Sequence, residues 1–579
     1  ADVIVGNPPW TSRRTVQGPG LTWSKQHGFP TPSGELAWAF VWKARQHLSE
    51  DGSVALLLPA MGFLHNHAAN STKARIRLFS EAKVISVINF SDLRRQLFDG
   101  AIHAAALIVF RSNGVKENYS FEYWAPKADL NLAIKRFVTL SSIDKSKLTL
   151  SDVKKNPLLF KQKLWMRGPE AKLFGYLDRF SKLSDFVEQY GVIQKKRGDP
   201  SVGWVVGQGF KPYHPDRTSA SSAQFYESQI VSEIPYLPVN ALTPIALNTS
   251  GLKSWPSHQV HRRGFERGFS GPRILFPRGV SSSGRLRATY VDVPLSYQHI
   301  IQAISAPAGD TNRAKFIAAI LNSKLSVWFA FHGTSSFGSS RPEVQQAEML
   351  RLPMPEPSEL RNPERAAAIQ GKIVELVDNA QKRVHDLLTS SDYLDESLSE
   401  IDDLAYDYFD LSGEEKTLIE DTVRFVIPAL QPSSGSAPEL WKRAVELERA
   451  AYADQLIESL SNWFSHSVNI SAELVGSNED FAILKLSLEN IRQVTAYREN
   501  KSVTFTSALR ALAKKLGKPL ARNFQTVPDI RIFADKNLYL VKPMQRRFWL
   551  RSAALSDADA IAGDLQSLLQ TSEMRSAQA

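Results

Sequence analysis

The sequence predicts an α/β chain with a partial doubly wound sheet, and three observations lead there. Val3-Ile4-Val5 is an apolar, β-branched run, short enough for a buried strand of a parallel sheet. Leu36, Ala39, Phe40, Ala44 and Leu48 recur at helical spacing, and Ser49-Glu50-Asp51-Gly52 stops that helix before an apolar strand over 54–58 that ends at Pro59. The alternation then repeats, with a basic helix over 69–78 and a strand over 84–90. Strand-like runs over 104–110 and 119–124 extend the pattern to about residue 126.

The first strand leads into the chemistry. Gly6 releases the backbone, and Asn7-Pro8-Pro9-Trp10 follows as a stiff loop at the strand's carboxyl end, the edge where open α/β sheets bind ligands. An exocyclic amine on a nucleobase is a poor nucleophile, because its lone pair is delocalised into the ring. Two acceptors set against its N–H bonds draw the nitrogen towards tetrahedral geometry and stabilise the positive charge of attack. The Asn7 side-chain oxygen and the Pro8 carbonyl supply that pair. Pro8 and Pro9 hold φ and carry no N–H, so the carbonyl stays in place with little local competition. Trp10 offers a face on which an extruded base stacks, worth about 1–3 kcal/mol. A Pro-rich turn without catalytic function is the plainer reading of the same residues.

This segment resembles motif IV, the catalytic loop of the amino-group DNA methyltransferases that use S-adenosylmethionine. Methylases of protein glutamine share the loop but are small enzymes. The resemblance implies a Rossmann-like methyltransferase sheet over residues 1–126. Residues 97–101, leading into the strand over 104–110, are similar to motif VIII of that family, whose aromatic packs on the second face of the flipped base; by that match the aromatic is Phe98. Residues 11–34, rich in Gly, Pro, Ser and Thr, read as a long surface loop, where Arg13 and Arg14 are candidates for phosphate contacts. No Gly-rich cofactor turn precedes Asn7. The cofactor-binding residues are therefore expected upstream of Ala1, in a half that has been cut away or is encoded elsewhere.

Length and composition set the frame. At 579 residues the chain exceeds one core and implies roughly three or four domains. Lys and Arg total 70 against 59 Asp and Glu, a formal charge of +11 that favours a polyanionic partner. With no cysteine there are no disulfides and no thiolate metal sites, which fits a reducing cytoplasm. No apolar run approaches the roughly 18 residues of a membrane span, and no His or acidic cluster has metal-ligand spacing, so neither membrane nor metal is expected.

A connector over 127–183 leads to a region of short strands, Gly, Pro and aromatics over 184–357. Gln194-Lys195-Lys196-Arg197-Gly198 opens it. Between His258 and Arg287 stand seven arginines (Arg262, Arg263, Arg267, Arg273, Arg278, Arg285 and Arg287) against one acid, Glu266. Arginine among glycines and aromatics suits phosphate contacts and bidentate reading of guanine, though a charge run also serves as a solvated face. The layout resembles the target-recognition domain of Type I and Type IIG restriction-modification enzymes. The apolar helix over 316–331 with Leu321-Asn322-Ser323, the Gly-Ser loop over 334–341 and the Pro-rich exit over 350–355 are similar to the end of such a domain. Residues 358–430 read as a helical spacer, 431–438 as a linker and 439–579 as a small α+β domain. Asp480 and Lys485 lack the second carboxylate of a nuclease strand.

The expectation is a site-specific DNA methyltransferase of a restriction-modification or phage-defence system, acting with S-adenosyl-L-methionine on the 6-amino group of a flipped adenine in double-stranded DNA. Restriction or translocase subunits of the same system are the further partners. Two alternatives stay open: a cytosine-amino enzyme, and a non-catalytic DNA-recognition or assembly subunit with a partial methyltransferase fold.

Overall fold

The computed structural model describes residues 1–11, 18–98, 103–112, 115, 117–195, 203–213, 225–281, 284–384, 392–430, 436–463, 469–489, 497–517, 530–535 and 537–578. Arg13, Arg14, Lys196, Arg197 and the side chain of Lys195 lie outside them. Two compact units form: residues 1–171 with 338–340 and 424–579, and residues 172–337 with 341–423.

The first unit holds a six-stranded sheet of β1 (Val3–Gly6), β2 (Ser53–Pro59), β3 (Lys83–Asn89), β4 (Ala105–Arg111), β5 (Ser120–Trp124) and β6 (Lys145–Thr149), in the order β1-β2-β4-β3-β5-β6. β1 pairs parallel with β2, Val3 opposite Ser53 and Gly6 opposite Leu56. The sheet is mixed, where the sequence predicts a doubly wound one. β4 enters antiparallel between β2 and β3. The connection from β3, residues 90–104, is long enough for a parallel return, but among the described residues its only helix is the single turn Ser91–Leu93. A parallel return needs a crossover of a dozen or more residues, usually helical.

Three helices accompany these strands: α1 (Pro19–Gln26), α2 (Leu36–His47) and α3 (Ala69–Glu81). α1 lies inside the predicted loop, begun by Pro19 in its first turn, where the missing N–H costs nothing. α2 matches its predicted span and buries Ala39 and Ala44 of the predicted stripe, but not Phe40. Trp38, Val41 and Trp42 are sunk in the core while Phe40 faces out. The tryptophans win because each buries more apolar area, and the Trp42 indole finds an acceptor, the Pro30 carbonyl, at 2.8 Å.

After Pro59 the chain makes a π-helical turn, Met61–His65. Arg75 of α3 is buried beneath it and donates to the carbonyls of Leu64 and Pro157 at 2.8 Å each, and to that of Phe63 at 3.3 Å. His65 Nε2 meets Ser91 Oγ at 2.9 Å, and Asn89 donates to Tyr123 Oη at 2.8 Å. Burial holds His65 neutral, its pKa pushed down to about 3. The carboxyl ends of β2 and β3 are thereby tied into one platform.

The second unit contains a five-stranded sheet of β7 (Val187–Gln189), β8 (Trp204–Gln208), β12 (Arg273–Pro277), β13 (Thr289–Val291) and β14 (Ile301–Ser305), in the order β13-β12-β14-β8-β7. A smaller sheet of β9 (Lys211–Pro212), β10 (Tyr226–Glu227) and β11 (Gln259–Arg262) accompanies it. The predicted helix over 316–331 is two helices, α4 (Thr311–Asn322) and α5 (Lys324–Gly333), bent by 67°. The Asn322 amide leaves the helix to exchange bonds with the backbone of Ala288, and Ser323, extended at ψ 152°, caps α5 by accepting from Ser326 N. Leu321-Asn322-Ser323 is therefore a clamped corner. Within the predicted spacer stand two long helices, α6 (Pro363–Arg383) and α7 (Asp392–Tyr408), and the shorter Gly413–Asp421, all three in this same unit.

Residues beyond 436 return to the first unit. β15 (Asn469–Ser477), β16 (Phe481–Glu489), β17 (Tyr497–Glu499), β18 (Ile530–Ala534) and β19 (Asn537–Pro543) make a sheet in the order β17-β15-β16-β19-β18. Its core includes Leu93, Ala128 and Leu132 beside Trp441, Tyr452 and Trp549. The boundary expected near residue 439 is thus crossed by packing. Among the described residues no single helix is long and apolar enough to cross a membrane.

Arg75→Met is expected to destabilise the protein by about 3 kcal/mol, since it removes the donor to the buried carbonyls of Phe63 and Leu64 and to the half-buried ones of Asn66 and Pro157. Chemical unfolding of the variant beside the wild type measures this.

Candidate nucleobase site at the sheet edge

β1, β2 and β3 run the same way, so Asn7, the π-turn and the segment after Asn89 gather at one sheet edge. β1 is the edge strand, and Asn7 at its end is exposed, Pro8 buried, Pro9 exposed and Trp10 half-buried. Trp10 and Phe98, far apart in sequence, are brought together with ring centroids 6.3 Å apart and planes at 86°. The two residues named for base stacking thus meet edge to face.

The segment carrying Phe98 is fixed from below. Phe90 N donates to Ala105 O and Leu97 N to Leu93 O, each at 2.9 Å. Arg94 donates to Ser91 O at 3.1 Å, and Arg95 Nε donates to Leu430 O at the same distance. Leu93 itself is buried in the core built by the chain's last third. Sequence reading gives those late residues no part in the site.

A second residue missed from sequence is Glu35. It is the N-cap of α2, yet its carboxyl makes no capping bond. Ser33 at φ 57° and Gly34 at φ 66° turn the chain just before it. The carboxyl lies over Gly62 of the π-turn, where a Cβ would stand 1.9 Å from Oε2, so a side chain there would push the carboxyl aside. Oε2 is buried without a hydrogen-bond partner among the described residues, as is Trp10 Nε1. Burial pushes the carboxyl up from 4.5 to about 7. Leu36 N donates to Thr11 O at 2.9 Å, tying this segment to the Asn-Pro-Pro-Trp loop. The available signal was a glutamate at a cap position that Ser, Thr, Asp or Asn usually fills.

The seven arginines of the second unit divide by environment. Arg273 is fully buried, donating to Gly271 O and Val293 O at 2.7 Å each. Arg285 forms a bidentate pair with buried Asp402 at 3.0 and 2.8 Å. These two correct the expectation of DNA contact: their guanidiniums are spent inside the fold, where an unpaired charge is costly. Arg267 donates to Gly203 O at 2.9 Å and is half-buried, as are Arg278 and Arg287. Arg262 and Arg263 are exposed, on a cleft of about 790 Å³ that Gln194, Gln208, Tyr226 and Gln346 also line. Gly264 closes its floor at φ 82°, its Cα against the Gly209 backbone. Gln208 Oε1 accepts from Arg262 at 3.1 Å. Among the described residues no group of three or more His, Asp or Glu is placed to hold a metal ion.

Residues 1–98 match the Eco57I restriction-modification methylase family. This span carries Asn7–Trp10, Glu35, Gly62 and Phe98 together. Among solved structures, the chain is similar to the Type IIL restriction-modification enzyme MmeI in complex with DNA, at 11% identity and a TM-score of 0.38, over 73% of this chain and 57% of that one. It is similar to the Type IIG restriction endonuclease BpuSI at 12% identity and a TM-score of 0.27, over 71% and 54%. For a nuclease-deletion mutant of the Type ISP enzyme LlaGI, with a DNA substrate mimic, the values are 13% and 0.34, over 65% and 41%. The chain spans 57% and 54% of the first two, little more than half their length. No curated protein sequence is matched.

Glu35→Gln tests the buried carboxyl. The folded state keeps its proton up to about pH 7 and the unfolded state only to 4.5, so wild-type stability falls as pH rises between those values. The variant, neutral throughout, is expected to equal wild type below pH 4.5 and to exceed it by about 3 kcal/mol above pH 7. Parallel unfolding curves across that range would contradict the assignment.

Proposed function

We propose that this chain is the target-binding part of a site-specific DNA methyltransferase, acting on the 6-amino group of an adenine turned out of duplex DNA. The observation that carries the reading is the meeting of Trp10 and Phe98 beside exposed Asn7, at the carboxyl edge of the sheet, within the span that matches a methylase family. Asn7 Oδ1 and the Pro8 carbonyl take the two N–H bonds of the amine. The prolines hold that carbonyl still, so little reorganisation is needed as positive charge develops on nitrogen. Trp10 and Phe98 grip the ring and keep water from the amine.

S-Adenosyl-L-methionine, when bound, supplies the methyl group. The residues described here do not make a seat for it: β1, which ends at Asn7, has no strand pairing on its outer side among the described residues, and Val3 and Val5 are exposed there. No step is therefore drawn through the cofactor. Arg262 and Arg263 meet the DNA, with Gln208 orienting the first of them towards a guanine edge. Restriction or translocase subunits of the same system are the further partners of this reading.

In a protein that joins this chain to its methyl-donor-binding half, Asn7→Ala is expected to lower single-turnover methyl transfer to duplex DNA by roughly 10²–10³-fold, with DNA affinity little changed. Equal rates in the two proteins would remove Asn7 from the reaction. Arg262→Ala and Arg263→Ala are each expected to weaken DNA binding and reduce the slope of log affinity against log salt by about one. Arg273→Ala instead lowers the melting temperature. A salt slope unmoved by the first two would place the DNA elsewhere.

A further inference from the structure

Trp10 stands where it cannot yet do what the proposed reaction asks of it. Its ring meets Phe98 at 86°, with centroids 6.3 Å apart. A base between two parallel rings needs two van der Waals contacts, a gap of about 7 Å. Entry of the base therefore requires a ring to turn. Among the buried polar atoms at this edge that lack partners among the described residues are the indole Nε1–H of Trp10, a donor, and Oε2 of Glu35, an acceptor. Such orphans are uncommon in native proteins. These two are complementary, and their backbones are neighbours. Trp10 precedes Thr11 and Glu35 precedes Leu36, and Leu36 N donates to Thr11 O at 2.9 Å. The carboxyl has no duty elsewhere, since it caps no helix and lies over the bare Cα of Gly62.

We propose that Glu35 is the positioning residue of Trp10: as the target base enters, the indole turns out of its edge-on contact and donates its Nε1–H to the Glu35 carboxyl, which holds the ring parallel to the base. This rests on the reading of Asn7–Trp10 as the loop that grips the base. The edge-to-face contact with Phe98 holds the ring in the empty site, and aromatic pairs favour that arrangement. Base stacking and the indole-to-carboxyl hydrogen bond then replace it together. Gly62 is part of the device, because any side chain there would displace the carboxyl from its position.

A double-mutant cycle in the whole protein tests this. The target adenine, located by methylation-sensitive sequencing of DNA from cells carrying the gene, is replaced by 2-aminopurine in a duplex, whose fluorescence rises when the base leaves the stack. Trp10→Phe keeps an aromatic face but has no N–H; Glu35→Met keeps length but accepts nothing, with Glu35→Ala as the substitute if methionine over Gly62 unfolds the protein. Each single variant is expected to weaken fluorescence-detected binding about 10-fold, and the double variant no further. Glu35→Gln, whose amide oxygen accepts the same bond, is expected to recover most of the loss. Effects of Trp10→Phe and Glu35→Met that multiply to about 100-fold, or a Glu35→Gln protein as weak as Glu35→Met at a melting temperature no lower than that of the wild type, would overturn the pairing. A wild type that methylates DNA and raises the fluorescence, with the two substitutions independent, overturns this inference alone. A wild type that does neither overturns the reading of Asn7–Trp10 and the inference with it.

Discussion

The parallel pairing of Val3–Gly6 with Ser53–Leu56 is the constraint on which the candidate site depends. Side chains in a strand alternate between faces, so a slip of one residue would exchange the buried and exposed sets of either strand. The register delivers Asn7 to the edge of the sheet at the same level as the end of β2. From there Pro59 leads into the π-turn that offers Gly62 to Glu35. π-Turns are uncommon and often mark functional positions. This one is held by a single buried guanidinium, that of Arg75.

Buried polar groups divide into two kinds in this protein. Some are satisfied and act as rivets: Asn89 with Tyr123, and Asp402 with both Arg285 and the amide of Lys324. Asp402 joins the approach to β13, the start of α5 and α7 through one carboxylate, which makes it a hub of the second unit. Glu35 and Trp10 are of the other kind, each keeping a buried atom unpartnered among the described residues. Stability gains nothing from such atoms, and their position at one sheet edge, beside an exposed asparagine, is where a ligand's arrival can compensate.

The arginine-rich stretch shows how one composition serves two ends. Arg262 and Arg263 line an open cleft with glutamines and a tyrosine, whereas Arg273 and Arg285 lie within the fold on carbonyls and a carboxylate. The strand residues Arg273–Pro277 are buried throughout, so a guanidinium at that position turns inward and finds backbone acceptors. Spacing along the chain does not distinguish these cases, because which neighbour supplies the acid or carbonyl is a matter of contacts such as Arg285 with Asp402, 117 positions apart.

Local pattern alone determined most strands and helices of the first 126 residues and the Asn-Pro-Pro-Trp loop after the first strand, while Phe98 came from the resemblance of residues 97–101 to a family motif. The strands, helices and loop rest on short-range periodicity and backbone stiffness, which are written in consecutive residues. Tertiary structure decided the mixed sheet, the corner at Ser323, the inward turn of Trp38 and Trp42, the return of the last third to the first unit, and the orphaned carboxyl of Glu35. Each of these depends on burial against residues distant in sequence, and desolvation and hydrogen-bond satisfaction are properties of the assembled surroundings rather than of the segment itself.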